Sequence, residues 1–214
     1  MISRTHLTPL LAVAVVVWSV LLILNGQSLS FDLLKPFSTV AGGIGVVALA
    51  FERWMWRWRF LYPWFVSTPN LHGTWSGQLM SDWKREDGSN IPPIVVYLVV
   101  RQTLSTISMR LLTPESSSVL LGGNVTKEID GVETVTGIYL NTPDILRRDG
   151  SQIHHGGLIL QVQGHPPARL EGEYWTDRAT KGRLCLTARS DKLVQSFNEA
   201  DRERTRTNIP ITER

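Results

Sequence analysis

The chain of 214 residues carries 22 Lys and Arg against 19 Asp and Glu, a net charge of +3, with 43% hydrophobic residues and a mean hydropathy of −0.03. So small a charge excess is too little to imply a DNA or RNA polymer as the partner, and none is expected; the near-zero hydropathy averages an apolar N-terminal part with a more polar remainder. The single cysteine, Cys185, excludes an internal disulfide and fits a reducing compartment.

In chain order, residues 7–24 form an apolar run interrupted by Thr8, Pro9 and Ser19, close to the roughly 20 residues with which a helix crosses about 30 Å of lipid. A second run, 37–51, is shorter, and Leu33 and Leu34 before it and Trp54 to Trp58 after it bring it to spanning length. Trp54, Trp56 and Trp58 stand among Arg53, Arg57 and Arg59 in what reads as an interfacial anchor, with indoles at headgroup depth. Arg4 and those three arginines flank the runs on one side, while the hinge 25–36 carries only Lys35 beside Asp32. The positive-inside rule then puts both termini in the cytoplasm. A cleaved signal peptide over residues 1–30 is the competing reading; against it, the run exceeds the usual apolar region of about 7–15 residues and a second run follows closely. Gly42, Gly43 and Gly45 form a small-residue stripe that admits close helix contact, either between protomers or with the first span of the same chain.

Past Pro69 the apolar pattern changes to period two, with turn signals every ten to twenty residues or so. Strands are predicted near 73–80, 94–102, 106–112, 119–128, 133–140, 155–162, 169–176 and 182–189. Eight short antiparallel strands close into a barrel or stack as a sandwich; the lack of a long crossover favours an up-and-down, lipocalin-like barrel, whose mouth holds one small ligand. The predicted fold is therefore membrane plus all-β: a two-helix transmembrane unit over 1–66, a cytoplasmic eight-stranded antiparallel barrel over 67–190, and a charged C-terminal tail over 191–214.

The sequence has no phosphate loop, HExxH, CxxC, GxSxG or calcium-loop pattern, so no catalytic residue and no metal ligand is assigned. His154 and His155 are adjacent on a strand and point to opposite faces. On the third strand Ser108 and Arg110 share a face opposite Met109 and Leu111; on the second, Tyr97 and Arg101 share one, with Gln102 at the end. A barrel closed with these polar faces inward sets an arginine in its interior, which requires an anion. The stretch 174–180 crowds Tyr174, Thr176, Arg178 and Thr180 at one rim. Aromatic planes beside guanidinium groups suit a nucleotide better than a fatty acid. The alternative is an Asp177–Arg178 surface pair with Tyr174 in the core.

GTWSG at 73–77, QTLSTISMRLLTPESSS at 102–118, YLNTP at 139–143, HGG at 155–157 and LEGEYWTDRATKGRLCL at 170–186, following two apolar runs, resemble the two-transmembrane, β-strand-rich effectors of bacterial cyclic-oligonucleotide anti-phage signalling (CBASS). The resemblance implies that the barrel binds a cyclic dinucleotide made by a cognate, phage-activated cyclase. It implies further that the protein assembles into a homo-oligomer or filament and breaches the lipid bilayer of the bacterial inner membrane as a multi-pass protein, killing the infected cell without catalysis and without a cofactor. The matching polar positions include Gln102, Thr113, Ser116, Ser118, Tyr139, Asn141, His155, Tyr174, Thr176, Arg178 and Thr180. The resemblance leaves open which of these serve the ligand and which close the barrel; a division that suits a nucleotide gives phosphate to Arg178 and Arg110, stacking to Tyr174 or Tyr139, and base edges to Asn141, Gln102, Ser108 and Thr176. A membrane-tethered carrier of a hydrophobic molecule and a protein-docking scaffold are the alternatives from other classes.

Overall fold

The structure, a computed structural model, describes residues 16, 18–20, 23–24, 31–62, 64–85 and 87–207. It divides into two compact units, 1–61 with 103–105 and the remainder. In the first unit the helix α1, Phe31–Arg53, ends where Trp54 departs from helical geometry (φ −134°, ψ −47°). Met55–Arg57 and Arg59–Leu61 are single 3-10 turns, and Trp58 between them is extended.

Among the described residues no helix is long and apolar enough to cross a membrane. This corrects the expectation of two transmembrane helices, and with it the expectation of a multi-pass inner-membrane location with both termini cytoplasmic. The indoles counted toward the second span do not continue the helix, because the chain turns at Trp54. The uncharged part of α1, 36–51, rises only about 24 Å, short of the roughly 30 Å of hydrocarbon it would have to cross. The first run, 7–24, lies outside the described residues apart from 16, 18–20 and 23–24, as does the signal-peptide reading of 1–30 for the most part.

The second unit is a closed barrel of β1 Gly73–Ser81, β2 Ile94–Gln102, β3 Ile107–Leu112, β4 Ser116–Lys127, β5 Glu133–Pro143, β6 His154–Gln163, β7 Arg169–Thr176 and β8 Lys181–Ser190. Every strand pairs antiparallel with the next, and β1 closes on β8, which leaves no unpaired edge. Register shifts at Ser76/Gly77 and Leu120/Gly122 supply the local bends that closure needs. At Gly77 and Gly172 the neighbouring strand passes so close that a Cβ would strike the carbonyls of Cys185 and Ile159.

Period-two alternation sends Trp75, Val96, Leu98, Val100, Met109, Val135, Leu160, Leu170, Leu184 and Leu186 into one buried cluster inside the barrel. The end served by the β4–β5 and β6–β7 connections is plugged by Leu71 and Trp75, both fully buried, with the indole N–H donating to the Leu71 carbonyl at 2.9 Å. Arg189 covers the Trp75 ring at 5.3 Å and donates to the carbonyls of Asn70 and His72.

Outside the barrel, the helix α2, Phe197–Thr207, lies over β2 and β3: Tyr97, Val99 and Leu112 pack with Val194, Ala200 and Phe197. Tyr97 therefore faces outward, not into the barrel. Its hydroxyl donates to Asp201 Oδ1 at 2.7 Å and accepts from Arg204 Nε at 2.9 Å. Burial first, then the bond to Asp201, pushes the Tyr97 phenol up to about 12. A raised phenol stabilises the fold fully below its unfolded value of about 10, and this contribution is lost as pH rises through the folded value. Alkaline titration of unfolding should thus show a loss of stability between about pH 10 and 12 that Tyr97→Phe makes shallower. An unchanged slope in that variant would contradict the role of this contact.

Candidate ligand site

At the opposite end, served by the β1–β2, β3–β4, β5–β6 and β7–β8 connections, the barrel opens into a cavity of about 610 Å³, within the range of small-molecule pockets, about 300–1,000 Å³. Its floor is apolar, made by Leu98, Met109, Leu111, Leu158 and Leu184. Above the floor the same inward positions turn polar: Ser118 on β4, Tyr139 and Asn141 on β5, Tyr174 and Thr176 on β7. The rim carries Arg85, Arg147 and Arg178 with one carboxylate, Glu115. An apolar base with a few convergent polar groups and a cationic rim suits a flat, anionic, hydrogen-bonding molecule.

Two cross-strand glycines open this space. Tyr139 sits directly opposite Gly156, and Tyr174 opposite Gly182. A Cβ at Gly156 would overlap the end of the Tyr139 ring, and one at Gly182 would lie 2.7 Å from Tyr174 Cε1. Each ring therefore folds over its glycine and lies along the wall. Burial, above all, raises both phenols, so each stays a neutral ring at physiological pH.

The rim is braced by the loop between β5 and β6. Arg147 from its 3-10 turn, Ile145–Arg147, pairs with Glu115 at 3.1 Å, and Arg178 Nη1 donates to Ser151 Oγ at 3.2 Å. Arg178 owes its place to a tight turn in which the hydroxyls of Thr176 and Thr180 lie 2.7 Å apart and Ala179 adopts φ 60°, a left-handed conformation unfavourable for a residue with a Cβ. Asp177 does not pair with Arg178; it accepts the His155 backbone N–H at 3.0 Å, and this bond is the main reason its carboxyl lies below the usual range. The Arg178 guanidinium thus has a neutral partner and no carboxylate among the described residues.

Of the residues singled out from the sequence, Tyr139, Asn141, Tyr174, Thr176 and Arg178 line this cavity together. Ser108 and Arg110 do not: they are exposed, on the face of β3 opposite Met109 and Leu111. An arginine needs water or a counter-ion, and turning outward supplies the first at no cost. Gln102 faces inward but at the plugged end, where its side chain accepts from Leu71 N at 2.8 Å and donates to the Pro69 carbonyl at 3.0 Å. His154 reaches the cavity, whereas His155 lies outside it. On α1, Cβ atoms added at Gly42, Gly43 and Gly45 would meet nothing within 4 Å. Of the three tryptophans, Trp54 and Trp58 are exposed and Trp56 is buried. Thr113, Ser116, Ser118 and Thr180, matching polar positions of the sequence, line the cavity as well; Arg85 and Arg147 also line it, and sit in solvated loops whose composition gives no sign of a rim. Among the described residues no three His, Cys, Asp or Glu side chains gather as a metal site.

A closed eight-stranded barrel with an open, arginine-rimmed, tyrosine-walled cavity defines a small-ligand receptor. The chain belongs to the family described as Cap15, cyclic dinucleotide receptor domain, which matches residues 66–188. That family is a β-barrel effector family of CBASS, and its match spans the whole of β1–β7 and most of β8. No curated protein matches the chain.

Proposed function

We propose that the cavity of this chain binds a cyclic dinucleotide released by a cognate cyclase, and that binding converts the protein from a resting form to an assembled one. The observation that carries the reading is the convergence, in one cavity, of an arginine without a carboxylate partner, two flat tyrosine rings and the Asn141 amide. Arg178 takes a phosphodiester, and Arg147, on the same rim, takes the second on leaving Glu115; Tyr139 and Tyr174 supply planes for the bases; Asn141 and Thr176 reach base edges. The ligand promotes assembly into a homo-oligomer or filament only by binding the assembled form more tightly than the free one. This reading needs no membrane-spanning helix.

Isothermal calorimetry of the full chain against a panel of cyclic dinucleotides tests it. Charge-assisted hydrogen bonds contribute about 1.5–3 kcal/mol each, so Arg178→Ala should weaken binding by at least about tenfold and reduce its salt dependence, with the thermal midpoint unchanged. Light scattering should show the mass rise on adding ligand. The apolar floor favours one competitor, a carrier of a hydrophobic molecule. Tight binding of a fatty acid with no response to any cyclic dinucleotide would select it.

A further inference from the structure

We infer that Asn141, oriented by Ser118, makes the cavity select a base that presents a carbonyl over one that presents an amino group. The inference rests on the cyclic dinucleotide reading of the cavity and names the base it prefers. Ser118 on β4 and Asn141 on β5 are direct register partners, both inward-facing and only 8% and 7% exposed. The Ser118 hydroxyl donates to Asn141 Oδ1 at 2.9 Å. Among the described residues that hydroxyl proton has no other acceptor, and the Asn141 amide nitrogen has no partner at all.

The bond from Ser118 sets the amide with its carbonyl toward the serine and its NH₂ away from it. Turned over, the amide would donate to the serine oxygen, and the serine proton would lose the one protein acceptor that the carbonyl gives it. With the carbonyl held by Ser118, the NH₂ group is directed to the cavity that Asn141 borders. It offers donors and asks for an acceptor. The carbonyl of uracil, guanine or hypoxanthine meets that demand; the amino group of cytosine or adenine at the same ring position sets donor against donor. Ser118 is thus a positioning residue, acting on the ligand through Asn141. Its effect is a preference between bases, not a uniform gain in affinity.

The test is the affinity ratio within size-matched pairs, cyclic di-UMP against cyclic di-CMP and cyclic di-IMP against cyclic di-AMP, measured on the full chain. The keto member should bind at least about tenfold tighter in the pair the cavity accepts, the penalty for one unpaired buried donor. Asn141→Asp, which offers only acceptors, should remove or reverse the ratio whatever it does to overall affinity. Ser118→Ala should bring the ratio toward one, and Ser118→Thr, which keeps a hydroxyl donor, should restore it. A merely structural role for Ser118 would lower both members equally and leave the ratio intact, and that result overturns the inference. So does an amino member that binds as well as or better than its keto counterpart. Failure of every cyclic dinucleotide to bind the unaltered chain is a different outcome: it removes the cavity reading itself.

Discussion

Replacing Gln102 by alanine should destabilise the barrel by about 2–4 kcal/mol, because two backbone groups of the plug lose their partner at once and each buried unsatisfied group costs roughly 1–3 kcal/mol. The side chain is 4% exposed and spans the Leu71 N–H and the Pro69 carbonyl, while its own backbone N–H donates to His72 Nδ1 at 3.3 Å. It therefore ties the segment before β1 to the end of β2, and that segment carries Leu71 over the closed end of the core. Gln102→Glu separates the two bonds. A carboxylate still accepts from Leu71 but repels the Pro69 carbonyl, so it should lose at least as much stability at neutral pH as the alanine variant loses from that one contact. Urea denaturation checks both. A midpoint unchanged in Gln102→Ala, with ligand affinity lost instead, would move Gln102 from the plug to the ligand.

Gln102 also illustrates what a period-two pattern carries and what it omits. All eight strands are legible, since turn-forming clusters punctuate apolar runs of strand length, and the observed bounds differ from the predicted ones by only a few residues at most ends. On β5 and β7 the alternation also gives the facing, so Tyr139, Asn141, Tyr174 and Thr176 reach the cavity. On β2 it does not. Ile94–Val100 is apolar on both faces, one facing the core through Val96, Leu98 and Val100, the other covered by α2 through Tyr97 and Val99. A strand buried on both sides has no alternation to read, and the covering helix comes from a charged tail nearly a hundred residues away in sequence. Polar content misleads for a related reason. Gln102 is polar because a returning segment needs its hydrogen bonds, and Arg110 because it meets water; neither cause is visible in spacing. The second N-terminal run falls short of a span for a third reason, since hydropathy sums over Trp54 and Trp58 without registering that the helix has already ended at Arg53.

Leu158→Trp should abolish ligand binding, lowering affinity by at least about 100-fold, equivalent to roughly 2.7 kcal/mol, while the barrel stays folded. Leu158 faces inward on β6, pairs in register with Tyr174 on β7 and borders the cavity. An indole there occupies the volume beside the Tyr174 ring that a base would need. Enlarging a residue in a filled core costs about 1–3 kcal/mol through strain, but at this position the added atoms enter a cavity of about 610 Å³, so the stability change should stay near the lower end of that range. Leu160, two residues along on the same face, is fully buried within the core cluster. Leu160→Trp has no empty space to enter and should unfold or strongly destabilise the barrel. The pair separates filling from overpacking: one variant folded and unable to bind, its neighbour unable to fold. If Leu158→Trp instead binds cyclic dinucleotides with unchanged affinity, the ligand does not occupy this cavity, and the roles given to Tyr139, Asn141, Tyr174 and Arg178 fall together, because they line that same cavity.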